Sequence, residues 1–372
     1  MSVTLVRHCK HGIANNQSMS TEPYIIGAND LILITGATGF IGSRLVGTLL
    51  GLGFRNLRCL ARPFSNGSMI EALNGYNSNG VQVELVRGNL LSREDCNSAA
   101  NGAKVIFHLA ASRGERSFPD AFMNSVVTTR NLLEASLRQN CLKRFVNVSS
   151  FSVYSNMQTA RGRLLDESCP VETRPELRGE AYCFAKVKQD EILAEYGKKF
   201  AIPYVIVRPG YVIGPGKSAI TGRVGIDSFG PFLHLGGANK VPFTYVDNCA
   251  DAIALAGLKK GIEGEVFNVV DDNLPSSRQY LRQYKRNVRS FPSFYVPHAL
   301  SYALCYLWER YCDWSQDQLP RAFNRKRWHA YWKRTQYSNE KAKSGLGWTP
   351  KVPMEEAFRR HFEGCRAGTR DA

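Results

Sequence analysis

No Cys-x-x-Cys pair occurs among the ten cysteines, which run from Cys9 to Cys365 without the spacing of a disulfide framework or a zinc site. They read as reduced thiols. Acidic residues are scarce, 32 Asp and Glu against 48 Lys and Arg. The formal charge of +16 suits an anionic partner: a phosphorylated cofactor, a nucleotide-linked substrate, an acidic membrane surface or nucleic acid. Met1 to Asp30 has no apolar run of signal-peptide length and carries Arg7, His8, Lys10 and His11 instead, so secretion is not indicated and a cytoplasmic protein is expected. His8, Cys9 and His11 have ligand chemistry, yet in a polar tail they read as part of a flexible extension, and no metal is expected. Internal repeats and low-complexity stretches are absent. The rest is an ordinary globular composition, 44% apolar and 22% charged over 372 residues, enough for one large or two modest domains.

From Leu31 onward, short apolar runs alternate with helical stretches. The runs are Leu31–Thr35, Leu57–Ala61, Val83–Val86, Val105–Leu109, Phe145–Val148 and Tyr204–Val207. Helical periodicity is clearest over Phe118–Gln139, Glu180–Lys199 and Asn248–Lys259. Such alternation predicts an α/β fold, a doubly wound parallel sheet of the Rossmann type with a smaller C-terminal substrate-binding region. The expected division is a flexible N-terminal extension over 1–29 and a dinucleotide-binding domain over 30–208. Residues 209–372 are expected to form mainly the substrate-binding region, with about 241–270 returning to the first domain.

Gly36, Gly39 and Gly42 lie between the first predicted strand and a helix, the context of a dinucleotide-binding turn. Gly36 is expected to permit the tight turn, Gly39 to let the backbone approach a pyrophosphate, and Gly42 to let helix and strand pack. The N–H groups around Thr38, Phe40 and Ile41 open the helix toward the anion. About 20 residues on, where an acid would hold the ribose 2′-hydroxyl of NAD, the chain has Arg62. NADP is therefore favoured over NAD, with help from Arg58 only if that residue faces the site. Asn89 and Leu90, after the third strand, and Leu109, Ala110 and Ala111, after the fourth, fall where sheet loops line an adenine and a nicotinamide ribose.

Tyr182 and Lys186 are four apart on a predicted helix, so both side chains share one face. A free phenol is a poor base at neutral pH, and an ammonium nearby together with a positive nicotinamide ring favours its phenolate. Tyr182 is thus expected to exchange a proton with a substrate hydroxyl or ketone oxygen while a hydride passes between the adjoining carbon and the nicotinamide. Ser150 is the candidate to hydrogen-bond the same oxygen, with Ser149 in competition.

These segments resemble the extended short-chain dehydrogenase/reductase family, also called the NAD-dependent epimerase/dehydratase family. The resemblance takes in Thr35–Gly42, Val105–Ala111, Asn131–Ala135, Val148–Tyr154, Tyr182–Lys186, Arg208–Gly210, Phe243–Asn248, Phe267–Val269 and Lys341–Pro350, covering about Leu31 to Arg360. It implies catalytic roles for Ser150, which stands four residues before Tyr154, and for Tyr182 and Lys186. It also implies cofactor contacts from the glycine turn, from Tyr182 and Lys186 themselves and from Pro209, a small-molecule substrate, and leaves room for a homodimer. Tyr211 and Pro242 stand where the sugar-nucleotide branch has groups that hold a nucleotide diphosphate, so the chain looks more like the reductase and 3β-hydroxysteroid dehydrogenase-like branches.

The segment Arg278 to Arg334 holds twelve Lys and Arg against three acids, with Trp308, Trp314, Trp328 and Trp332. Within it, Val296 to Trp308 resembles an apolar helical insertion of the second branch. That stretch falls short of the ~20 apolar residues a bilayer span needs. Flanked by Arg286, Arg289, Arg310 and Arg321, residues 294–311 could lie on an anionic membrane, cap an apolar substrate, or simply pack on the substrate region. Arg325-Lys326-Arg327-Trp328 interleaves base and aromatic, but no nucleic-acid module accompanies it and none is expected to bind. Three readings of function stand: a dehydrogenase or reductase acting on a secondary alcohol or ketone of a small, lipid-like molecule; a nucleotide-sugar epimerase or dehydratase; and a non-catalytic NADP sensor or scaffold.

Overall fold

Alternate residues of the central strands go to opposite faces of a sheet, as a pleated strand requires. The computed structural model describes residues 24–63, 75, 80–111, 117–158, 160–217, 220–227, 230–316, 318–319, 321 and 323–370. Its sheet is formed by β1 (Ile32–Thr35), β2 (Asn56–Ala61), β3 (Gln82–Arg87), β4 (Val105–His108), β5 (Arg144–Val148), β6 (Tyr204–Pro209) and β7 (Val266–Val269). All seven are parallel, in the order β7-β6-β5-β4-β1-β2-β3. The order reverses between β1 and β4, the position at which open α/β sheets form a ligand crevice.

Ile32, Ile34, Val105, Phe107, Val146, Val148, Val205 and Val207 project to one face, where α1 (Gly42–Gly51) and α5 (Val246–Leu258) cover them. Leu33, Leu60, Ile106, Phe145 and Ile206 project to the other. There they meet α2 (Arg93–Ala100), α3 (residues 118–137) and α4 (Ala181–Phe200). Helix α3 is continuous but not uniform: α-helical Phe118–Ala121 and Thr128–Leu137 are joined by a π-helical segment, Phe122–Val127. Both faces are covered, and the strands accordingly read as unbroken apolar runs.

The remaining elements gather at the carboxyl edge. Tyr211–Ile213 pairs with Phe243–Tyr245, and a small three-stranded sheet joins Gly225–Asp227, Phe232–His234 and Ser293–Tyr295. Helices α6 (Ser277–Asn287), α7 (His298–Trp314), α8 (Arg325–Tyr331) and α9 (Met354–Arg370) complete the region. Phe243, Tyr280, Phe358 and Phe362 knit it to the sheet through ring contacts of 4.7–6.1 Å.

One expectation changes here. The extension expected to run through residue 29 is packed from Tyr24 onward: Ile26 is buried in the core, the Ile25 N–H donates to Leu258 O at 3.0 Å, and Tyr24 lies against Phe54. Three apolar residues in a row give this short segment enough to bury. His8, Cys9 and His11 lie outside the described residues. The run Arg325-Lys326-Arg327 is turned inward, paired with Glu309, Glu172 and Glu180 respectively, and Trp328 beside it is buried.

Candidate active site

Parallel register brings the carboxyl ends of the strands to one edge: Thr35 stands beside Leu60 and His108, His108 beside Asn147, and Val148 beside Val207. Every loop expected to carry chemistry leaves from that edge. Gly36 has φ of +75°, and a Cβ there would fall 2.9 Å from Ala110 N, so the turn after β1 is seated directly on the Leu109-Ala110 backbone. At Gly42 a Cβ would lie 2.1 Å from Gly36 O. The third glycine thus serves contact between helix and turn, where contact between helix and strand was expected. The Gly39 N–H closes the turn on Gly36 O at 2.9 Å. Among the described residues no side chain caps α1, and no acid sits in its first turn, which leaves an N-terminus suited to an anionic pyrophosphate.

Arg62 is exposed just past the end of β2. Arg58 is not beside it. Its guanidinium binds Glu84 at 2.6 Å and the carbonyls of Ala99 and Asn101 at the end of α2, so it takes no part in holding a cofactor phosphate. Asn89 shapes its own turn, accepting from Leu91 N–H through Oδ1 while its N–H donates to Asp95. The carbonyls of Leu90 and Leu91 accept from Asn131 of α3. Pro209 ends β6 and is buried.

Lys186 is buried, and its ammonium donates to Val148 O at 2.8 Å, pinning α4 to the end of β5. Two residues beyond Val148 stands Ser150, half-buried, whose Oγ accepts from Ser152 N–H. Ser149 is buried and committed, donating to Asp190 at 2.9 Å. One turn before Lys186 on α4, Tyr182 is 37% exposed, whereas the lysine is buried.

Beneath lies a buried polar floor. Asp190 accepts from Asn147, Ser149 and Arg208, and Arg208 also donates to Tyr154, whose hydroxyl donates to Asn268. Burial pushes the Asp190 carboxyl up, while Arg208, Ser149 and Lys186 oppose that shift. Asp190 was not singled out from sequence, although it continues the i, i+4 row of Tyr182 and Lys186. A second chain runs Thr35, His108, Thr129, Gln189. The Thr129 hydroxyl donates to Ser125 O at 2.6 Å and accepts from Gln189, which assigns the His108 proton to Nε2 and makes Nδ1 the acceptor of the Thr35 hydroxyl. Burial, with Lys186 adding, pulls His108 down to about 3, so the ring stays neutral.

A family model described as NAD dependent epimerase/dehydratase family matches residues 32–269. The chain belongs to that family. Its members include NAD-dependent dehydrogenases, reductases and epimerases of the extended short-chain type. It is 29% identical over 194 residues to cinnamoyl-CoA reductase 1 of Oryza sativa subsp. japonica, a match spanning 51% of this chain and 55% of the rice protein. Similarity to the decarboxylating sterol-4-alpha-carboxylate 3-dehydrogenase of Saccharomyces cerevisiae is 27% over 360 residues, covering 88% of this chain and 96% of the yeast protein. Among solved structures, UDP-glucuronic acid 4-epimerase from Bacillus cereus in complex with NAD superposes with a TM-score of 0.67 at 22% identity, covering 91% of this chain and 99% of that one. That likeness shows the fold.

Proposed function

We propose that this family member is a dehydrogenase or reductase acting on a secondary alcohol or ketone of a small, lipid-like molecule, with Tyr182 as general acid/base and NADP as the favoured cofactor. The observation that carries the reading is the Lys186 hydrogen bond to Val148 O, which holds a buried cation one helical turn from the exposed Tyr182 and beside Ser150. When bound, the nicotinamide cofactor supplies or accepts the hydride. Ser150 donates to the substrate oxygen. Tyr182 takes the hydroxyl proton in oxidation and returns it to the oxygen in reduction, and the Lys186 charge favours the phenolate between these events. Asp190 and Arg208 hold the floor on which Ser149 and β5 rest.

Support for the substrate class comes from Pro242 and Tyr211 in place of nucleotide-diphosphate contacts and from the length of the match to the yeast sterol dehydrogenase. Support for NADP comes from Arg62, exposed at the end of β2 where an acid would favour NAD. Tyr182→Phe is expected to lower turnover of a ketone panel with NADPH by at least about 10²-fold while leaving NADPH binding intact. Unchanged turnover would remove Tyr182 from the mechanism.

A finer reading concerns location. Leu300, Leu304, Leu307, Tyr311 and Trp314 form one exposed stripe on α7, from 44% exposed at Tyr311 to 79% at Trp314, with Phe294 exposed on the strand before it. Ser301, Cys305 and Cys312 on the opposite side are buried. Among the described residues no helix is long and apolar enough to cross a membrane. An apolar stripe carrying Tyr and Trp, in a segment that also holds Arg286, Arg289 and Arg310, suits shallow contact with an anionic bilayer.

A further inference from the structure

The region beyond the sheet carries a cleft of ≈ 530 Å³ to which neither the glycine turn nor Tyr182 contributes. Its aromatic wall is Tyr295, Tyr302 and Trp328, with the Trp328 ring 5.0 Å from Tyr302 and 6.1 Å from His298, edge to face in both cases. Trp328 is fixed in place, buried with its indole N–H on Ser301 Oγ at 2.9 Å. The polar wall is Arg161, exposed, and Lys333, buried. None of the described lining side chains is acidic.

Burial pulls the Lys333 ammonium below the usual lysine range, so an anion in the cleft would relieve a cost the protein already carries. The wall is also anchored to the candidate active site. Lys333 donates to the carbonyls of Asn156 and Met157, and Asn156, with φ of +56°, binds His329 O and Thr335 Oγ1. This segment leaves directly from Ser150–Tyr154, so the cleft and the serine are positioned by one stretch of backbone.

We propose that this cleft is an arm of the substrate site, taking a carboxylate or phosphate carried on a flat, apolar ring system. The rings lie against Tyr302 and Trp328, and the oxyanion meets Arg161 and Lys333. The proposal rests on the reading of Ser150 and Tyr182 as the reacting end. Calorimetry on the full chain saturated with NADPH, at low salt, compares 1-naphthoate, 1-naphthyl phosphate and the neutral 1-naphthalenemethanol. At least one anion is expected to bind about tenfold or more tighter than the alcohol, and Arg161→Gln, at an exposed position that leaves folding unaffected, should abolish that margin. The ratio between the two anions identifies the preferred oxyacid. Equal binding of anion and alcohol, a margin that survives Arg161→Gln, or no binding of any probe overturns the proposal. Tyr182→Phe should keep the anion preference while losing turnover, so failure of the catalytic reading and failure of the anion arm give different results.

Discussion

Asp271 shows how one buried carboxyl can tilt the stability of the whole chain. Its Oδ2 accepts from the Tyr245 N–H and from Asn248 at the start of α5, while Oδ1 is buried with no hydrogen-bond partner among the described residues. Burial pushes it from the ordinary 3.8 up to about 7, so the folded protein keeps a proton that the unfolded chain has released. The stability this confers is fully present below 3.8 and is lost as pH rises through about 7. The charged form then costs on the order of 4 kcal/mol. Asp271→Asn mimics the protonated side chain. In urea unfolding, the variant should gain on the parent between about pH 4 and pH 8; a gap that does not change with pH would refute this. His108 works in the opposite sense, its neutral form contributing stability above 6.5 that is lost as pH falls toward about 3, but it is common to both proteins and cancels. Sequence spacing exposed Gly36, Tyr182 and Lys186 because backbone sterics and helical periodicity are local. It did not show Arg58 turned to Glu84, nor Asp190 gathering Asn147, Ser149 and Arg208, because those partners lie far apart along the chain.

Among the elements, α1 depends on its contact with the turn before it. Gly42→Ala would set a methyl carbon 2.1 Å from Gly36 O, so turn and helix must separate. The expected cost is about 1–3 kcal/mol of stability. NADPH affinity should also fall by at least about tenfold; thermal unfolding and cofactor titration check the two effects, and intact affinity would show that the turn yields easily. Helix α7 was legible from sequence only as far as Trp308. The structure carries it through Trp314, because the exposed stripe repeats at Leu307, Tyr311 and Trp314 past the point where the continuous apolar run ends. Leu304→Glu with Leu307→Glu should abolish co-sedimentation with vesicles containing phosphatidylserine and leave turnover on a soluble substrate unchanged. If the substitutions instead turn a dimer into a monomer with no change on vesicles, the stripe is an interface between copies.

For the molecule as a whole, the doubly wound sheet could be read from the alternation of apolar runs and helices, since each buried strand must be apolar on both faces. The substrate region could not be read in the same way. Its strands are mostly three residues long, as at Gly225–Asp227 and Ser293–Tyr295, too short to show a period, and their pairing is decided by tertiary packing. Charge is also redistributed by folding. Arg325, Lys326 and Arg327, conspicuous as a basic run, spend much of their charge on internal carboxylates, so the surface is less basic there than the sequence suggests.

The π-helical segment of α3 makes helical winding, as well as residue type, a determinant of the site. Were Phe122–Val127 wound as ordinary α-helix with no residue removed, the rest of α3 would turn by about 100°. Thr129 would swing away from His108, and Asn131 from the carbonyls of Leu90 and Leu91. The exposed Asn124 can change identity at little cost, but the wider winding around it is what keeps two distant loops in register.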